Sequence, residues 1–324
     1  MFSVIIPVYN RRDEVAALLK SLADQTVRNF EVIVVDDGST DPCINECAPY
    51  ADFVKYYFKE NEGRSPARNY GMERAQGSYF VFFDSDCIIP PSYFEILENE
   101  LKNAPIDCYG GPDAAHSSFS PLQKAINFAM TSFLTTGGIR GGKLQLEKFK
   151  PRTFNMGFSR EVYERVGGFR EMFSEDIDMS MRIRNAGFSL TLLRSCEVFH
   201  KRRISFRKFL RQVYVFGMSR ITLRRLYPGS MKLVHTLPAL FLIGSVVLLA
   251  LGVVLSPWFI APLAIYLVAL FFAALCSTKS LKVALLAVPA SLIQLYGYGA
   301  GFLKACFTGR NPEAERRIRA GKNE

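Results

Sequence analysis

Cysteine motifs, histidine and, over one long stretch, charge itself are scarce in this chain of 324 residues. The seven cysteines form no CxxC pair, and Cys43 with Cys47 lacks the matching second pair that a zinc site needs. That pattern fits free, mostly buried thiols in a reducing compartment. Histidine occurs three times. His116 has no motif around it and reads as a loop residue, and His235 falls just inside an apolar run, where an interfacial position is expected. Met1 to Asn10 lacks the basic leader and the apolar length of a signal peptide, so the amino-terminal part is expected to stay in the cytoplasm. No acidic residue occurs between Lys201 and Lys232, and no charged residue at all from Leu233 to Thr278.

These gaps divide the chain. Residues 1–200 hold 22 Lys and Arg against 27 Asp and Glu, so this part is mildly acidic and the net charge of +10 comes from the residues beyond it. Ten basic residues form a belt: Lys201, Arg202, Arg203, Arg207, Lys208, Arg211, Arg220, Arg224, Arg225 and Lys232. Because an apolar region comes directly after it, anionic membrane lipid is the expected partner, and no nucleic acid is expected. From Ile204 to Leu226 apolar residues recur at Phe206, Leu210, Val213 and Phe216 among the basic ones, the pattern of a helix lying on a bilayer surface. Residues 233–278 suffice for two spans of about 20 residues each, with a turn at Ser256-Pro257 and Trp258 as interfacial anchor. Lys279 and Lys282 then suggest a return to the cytoplasm.

A third apolar run, Val283 to Leu303, is weakened by Pro289, Gly297, Gly299 and Gly301. Three full spans would export the tail with Arg310, Arg316, Arg317, Arg319 and Lys322, against the positive-inside tendency. A third element that dips in and returns, or one buried against the hairpin, avoids the conflict; both readings stand, and three membrane segments are expected with the side of the tail left open. The expected division is a first domain over 1–203, a basic amphipathic interfacial helix or linker over 204–232, a membrane region of two to three helices over 233–307 and a basic tail over 308–324.

The first 200 residues alternate strand and helix. Ser3 to Tyr9, Phe30 to Val35, Phe53 to Tyr57 and Tyr79 to Phe83 read as strands, with helices over Asn10 to Gln25 and beyond the Gly63–Gly71 loop. Such alternation predicts an α/β fold with a mostly parallel sheet. Ligands gather at the carboxyl ends of such strands, here Tyr9-Asn10, Asp36-Asp37 and Asp84-Ser85-Asp86. Asp84 and Asp86, one residue apart after an uncharged aromatic run, are costly there unless a cation or donors meet them. Few hard oxygen ligands suit Mg²⁺ or Mn²⁺, with water and phosphate completing the shell. The plainer alternative is a turn.

Four ordered motifs carry a resemblance. Val4 to Asn10, Val34-Val35-Asp36-Asp37-Gly38-Ser39-Thr40-Asp41, Gly63-Arg64-Ser65-Pro66-Ala67-Arg68-Asn69-Tyr70-Gly71 and Asp84-Ser85-Asp86 together resemble a family 2 glycosyltransferase of the Rossmann-like GT-A fold. The resemblance covers roughly 200 residues. It implies a nucleotide-sugar donor, expected to be a UDP-sugar, a divalent cation, and inversion at the anomeric carbon. The family pattern places nucleobase and ribose near Pro7, Tyr9 and Asp37. Asp36 is either a further donor contact or a cap on its own turn. Arg68 is expected at the pyrophosphate, since a guanidinium fork suits phosphate oxygens; Asn69 either touches ligand or is structural. Asp84 and Ser85 are assigned to the donor, and Asp84 with Asp86 to the metal. His200, after the strand-like Glu197 to Phe199, resembles a late GT-A histidine near metal or pyrophosphate; a structural histidine is the alternative.

Tyr109 to Pro112 reads as a strand ending in a glycine turn. Gly137 to Gly142 has the composition of a mobile loop. Asn155 to Arg160 and Gly167-Gly168-Phe169-Arg170 again resemble the family, and lead to Ser174-Glu175-Asp176-Ile177-Asp178. By composition that is Ser174 capping an acidic first turn. By resemblance it is the catalytic-base motif, with Asp176 taking the proton from an acceptor hydroxyl and Glu175 orienting the acceptor.

The expected whole is a membrane-anchored inverting glycosyltransferase acting on a lipid-linked saccharide acceptor. A polyprenyl-phosphate sugar synthase and a non-catalytic nucleotide-binding membrane scaffold are the rivals. Processive members usually carry Gln-x-x-Arg-Trp; Gln212 has no Arg-Trp after it, and Trp258 is the one tryptophan, which speaks against processivity.

Overall fold

The computed structural model describes residues 1–114, 119–137, 150–200 and 205–308. His116, the loop from 138 to 142, the belt residues Lys201, Arg202 and Arg203, and the tail from Arg310 to Lys322 lie outside them. The chain forms two units, one from residues 1–114 and 150–200, the other from 119–137 and 205–308.

In the first unit the elements are β1 (Phe2–Val8), α1 (Arg12–Ala23), β2 (Phe30–Asp37), α2 (Ile44–Cys47), β3 (Val54–Lys59), α3 (Arg64–Arg74), β4 (Tyr79–Phe82), β5 (Cys87–Ile88), α4 (Tyr93–Asn103), β6 (Cys108–Gly110) and β7 (Asp113–Ala114). After the chain has passed through the second unit come β8 (Met156–Ser159), α7 (Arg160–Val166), α8 (Glu175–Asn185), β9 (Leu190–Leu192) and β10 (Val198–His200). Seven strands form a sheet in the order β3-β2-β1-β4-β8-β6-β9. All neighbours are parallel except β8, which runs antiparallel between β4 and β6.

All eight residues of β2 are buried, as expected when helices cover both faces of a parallel sheet. Alternation along the strands decides which face each side chain joins. Val4, Ile6, Val8, Val32 and Val34 pack with Val15, Leu18 and Leu22 of α1 and Phe94 and Leu97 of α4. Ile5, Ile33, Val35, Phe80 and Phe82 pack with Ala67 and Met72 of α3 and Met179 and Ile183 of α8. The carboxyl ends of β1, β2 and β4 therefore open along one edge between the two helical layers. A second sheet has three strands in the order β5-β10-β7.

The second unit contains α5 (Pro121–Thr131), α6 (Phe133–Thr136), α9 (Phe206–Leu226), α10 (Leu237–Val254), α11 (Ala261–Thr278) and α12 (Leu281–Thr308). Helix α5 begins with a capping box, Ser120 with Gln123, and Pro121 at its first turn. Although residues 119–137 fall within the span expected for the first domain, their apolar faces are covered here. Ala125 and Phe128 pack on Leu270, Ala274 and Ala287, while Ile126, Ala129 and Met130 pack on Phe209, Val213 and Ala290.

Among the described residues, three helical segments are long and apolar enough to cross a membrane: Leu237–Val254, Pro257–Thr278 and Leu281–Thr308, with mean hydropathies of 2.6, 2.5 and 1.4. Helix α12 is continuous through Pro289, which differs from an element that dips in and returns. Its 28 residues reach about 42 Å, more than the hydrocarbon thickness. Helix α9 also differs from the surface helix expected: Phe209, Val213, Met218 and Leu223 are buried. Glycines explain why, because Gly217 meets the backbone of Tyr298 and Phe302, and Gly301 meets the Tyr214 carbonyl. Backbones approach this closely only where side chains are missing. Arg207, Lys208, Arg211, Arg224 and Arg225 remain exposed. His235 is buried, and its Nδ1 accepts from the Lys232 amide at 2.9 Å. All seven cysteines are free; five are buried, and Cys276 and Cys306 are exposed on α11 and α12.

Candidate active site

The first two strand ends are tied to each other. Asn10, in the left-handed region at φ 51°, donates its amide to Ser39 Oγ at 2.8 Å, and its Oδ1 accepts from the Thr40 amide at 2.9 Å. Asp36 is fully buried, accepting from the Ser39 amide at 2.9 Å and the Tyr56 hydroxyl at 2.8 Å. It caps its own turn. Burial and that hydrogen bond push the Tyr56 hydroxyl well above its ordinary pKa, so Tyr56 stays a donor. Asp37 accepts from Lys59 Nζ at 2.9 Å and from the amides of Glu62 and Gly63 at 3.1 and 2.7 Å. It thereby fixes the loop leading into α3. Gly38, at φ 80° against the backbone of Asn61, allows that loop to close. Pro7 and Tyr9 are half-buried at the end of β1.

Helix α3 starts at Arg64, so Arg68 and Asn69 sit inside a helix rather than in a loop. Arg68 is 1% exposed. Its Nη2 donates to Asp84 Oδ1 at 2.7 Å and its Nη1 to Glu175 Oε1 at 3.0 Å, over the ring of Phe169. Glu175, 2% exposed, also accepts from Arg64 Nη2 at 2.7 Å. A buried charge is tolerable only when paired, and Arg68 is paired with both carboxylates here, although its Nε has no acceptor. Ser85 is buried, its Oγ 3.5 Å from Glu14 Oε2, and Glu14 holds Arg11 Nη1 at 2.7 Å.

Helix α8 begins with Glu175. Ser174 precedes it with φ 64° and makes no capping hydrogen bond through its side chain, unlike the expected cap. Left-handed backbone at a non-glycine residue is uncommon and clusters at functional sites. Asp176 faces Arg152 Nη1 at 3.4 Å and accepts from its neighbour's amide, that of Ile177, at 2.7 Å. Asp178 is fully buried beside Arg182 at 2.9 Å, and Arg182 also donates to the carbonyls of Val166 and Gly168. That fastens the Gly167-Gly168-Phe169 turn to α8.

The short second sheet aligns His200 with Cys87 across β5 and β10. Asp86 therefore lies beside the imidazole, Oδ1 to Nε2 at 3.0 Å, while Asp113 stands 3.8 Å from Nδ1 and Phe154 stacks on the ring at 4.8 Å. One ligand atom each from Asp86, Cys87 and His200 lie within 4.8 Å of one another. Cys87 Sγ is directed at the Phe154 carbonyl at 3.4 Å, and a soft thiol suits Mg²⁺ or Mn²⁺ less well than oxygen or imidazole does. A carboxylate and an imidazole fit a small divalent cation such as Mn²⁺.

Residues 3–167, half of the chain, match the family described as Glycosyl transferase family 2. The chain belongs to glycosyl transferase family 2. An uncharacterized glycosyltransferase of Rickettsia conorii is 44% identical over 103 residues, which cover 31% of this chain and 16% of that protein. The cholesterol galactosyltransferase of Borreliella burgdorferi is 34% identical over 111 residues, 33% of this chain and 31% of that protein. The matches thus span less than a third of either relative's own length. Among solved structures, a mannosyltransferase from Pyrobaculum calidifontis in complex with GDP-Man and Mn²⁺ is similar with a TM-score of 0.58. At 18% identity over 96% of this chain and 88% of that one, the likeness is one of fold.

In this family 2 domain Asp84, Arg68 and Glu175 come into direct contact, and Asp176 succeeds Glu175 at the same helix end. Asp86 and His200 form a separate pair, and Asp84 is not part of the three-residue cluster around them. Three neighbours are not legible in the sequence as site residues. Arg64 stands in the Gly63–Gly71 motif but beside the more conspicuous Arg68, whereas Arg152 and Asp113 carry no local signal.

Proposed function

We propose that this chain is a membrane-anchored, inverting glycosyltransferase that moves a sugar from a nucleotide-diphosphate-sugar, a UDP-sugar first, to a lipid-linked saccharide acceptor. The bridge from Asp84 through Arg68 to Glu175 carries the reading. It joins a strand end suited to a diphosphate with a helix end suited to a base, in a family built for nucleotide-sugar transfer.

In this mechanism an acceptor hydroxyl attacks the anomeric carbon from the face opposite the leaving group. The bond from that carbon to the diphosphate oxygen breaks, its electron pair leaves with the nucleoside diphosphate, and the hydroxyl proton passes to the Asp176 carboxylate. Asp86 and His200 would hold a divalent cation, Mg²⁺ or Mn²⁺, which when bound neutralises charge on the leaving diphosphate. Pro7 and Tyr9 line the nucleobase side. The three apolar helices anchor the protein, and the exposed arginines and lysines of α9 favour anionic lipid on the cytoplasmic side, where the catalytic domain then lies.

A second acceptor chemistry draws on Arg152. A guanidinium facing Asp176 suits a nucleophile that is itself anionic, as in transfer to a polyprenyl phosphate. Binding of UDP- and GDP-sugars to the full-length protein with Mn²⁺ or Mg²⁺, followed by transfer assays, tests both readings. Asp176→Asn is expected to abolish transfer to a hydroxyl acceptor while leaving donor affinity within about twofold. Near-normal turnover by that variant moves the choice to the phosphate acceptor, and absence of binding by any nucleotide-sugar rejects the function.

A further inference from the structure

We infer that Arg64, and not Arg68, is the guanidinium that meets the donor diphosphate; this rests on the glycosyltransferase reading. Two arginines stand one helical turn apart on α3, and they live in opposite surroundings. Arg68 is 1% exposed, with one nitrogen on Asp84 and another on Glu175. Its Nε has no acceptor, but the guanidinium is enclosed, and turning it out toward a phosphate would strip two carboxylates of their partner, one of them buried, which is strongly unfavourable. Its task is internal: it holds Asp84 and Glu175 at fixed separation.

Arg64 is 49% exposed at its side chain. One nitrogen, Nη2, is tethered to Glu175 Oε2, and the guanidinium lies 5.5 Å from the centre of the Phe173 ring. The tether aims the group without consuming it, so the rest of the fork can receive phosphate oxygens. Desolvation pulls the Arg64 pKa down, but Glu175, Asp84 and Asp176 outweigh it and hold it above the ordinary value. Its charge therefore sits within electrostatic reach of both the donor-side carboxylate and the proposed base. A diphosphate entering there brings negative charge to the partly exposed cation of the bridge. Glu175, assigned by resemblance to the acceptor, is here the anchor that presents Arg64.

The test is titration calorimetry on the full-length protein with Mn²⁺, comparing UDP with UMP and GDP with GMP. The wild type is expected to prefer the diphosphate of whichever pair it binds. Arg64→Ala should weaken that diphosphate by about tenfold or more, the scale of a lost charge-assisted hydrogen bond, and change the monophosphate less than about twofold. Arg64→Lys should recover part of the preference. Arg64→Gln, which keeps a donor for Glu175, controls for a fold disturbed by truncation and should behave like Arg64→Ala. An unchanged diphosphate preference in both neutral variants, or an equal loss for mono- and diphosphate, overturns the role of Arg64 while the glycosyltransferase stands. A wild type that binds no nucleotide removes both.

Discussion

Asn69 grips the backbone of Phe169 from both sides: its Nδ2 donates to the Phe169 carbonyl at 2.9 Å, and its Oδ1 accepts from the Phe169 amide at 2.8 Å. One side chain thus stands in for a strand partner, and the ring it positions lies against Arg68 and Phe82. Of the two roles open to Asn69 from the sequence, the structural one describes these contacts. Asn69→Ala is expected to lower stability by about 1–3 kcal/mol, because two backbone groups lose their partner at once. A thermal melt of purified protein measures it. Asn69→Asp should fall between, keeping the acceptor and losing the donor.

Glu175 and Asp176 are adjacent in sequence and opposite in consequence. Glu175→Gln leaves Arg68 with a neutral partner in a buried setting, and breaking such a pair costs about 3–5 kcal/mol. A melting temperature several degrees below wild type is expected. Asp176→Asn, at a partly exposed site, should melt near wild type. Equal melting of the two variants would show that the buried pair contributes nothing to the fold.

Glu31 gives the fold a defined acid sensitivity. Burial alone would raise its pKa, but hydrogen bonds from Lys55, the Gln76 amide and Ser3 hold it below the usual carboxylate range. A carboxyl lowered in the folded state stabilises fully above its unfolded pKa, and the contribution disappears as pH falls through the folded value. Melting temperature followed from neutral to acid pH should therefore drop more steeply for wild type than for Glu31→Gln. Parallel curves would contradict this.

Helices α9 and α12 meet through glycine. A methyl group at Gly301 would collide with the Tyr214 carbonyl, whereas one at Gly244 of α10 meets nothing within 4 Å. Gly301→Val should therefore reduce the yield of folded protein, and Gly244→Ala should leave it unchanged or improve it by up to about 1 kcal/mol through helix propensity. Size-exclusion profiles in detergent and melting curves report both.

How much the residues alone disclose depends on the range of the interactions involved. Asp84, Asp86, Glu175 and Asp176 stand out because carboxylates at the ends of apolar elements need an explanation wherever the chain goes. Arg68 is recognisable from its motif as a site residue but not as a buried one. Which of two arginines on α3 turns inward depends on Glu175, which arrives 107 residues later. His200 meets Asp86 through strands of two and three residues, too short to show a period. The pattern of α9 reveals an apolar side but not its cover, since glycines in a distant helix supply it.

The excursion between β7 and β8 has a practical consequence for anyone wishing to separate the α/β domain from the apolar helices. Residues 119–137 belong with the long apolar helices although they precede β8 to β10 of the α/β domain in the polypeptide. Severing the chain near position 203 would strip Ile126, Phe128, Ala129 and Met130 of their neighbours and leave an oily helix dangling from an otherwise water-loving fragment. Such a truncation should clump rather than stay dispersed, and a soluble version must replace that inner segment as well as the carboxyl-terminal helices.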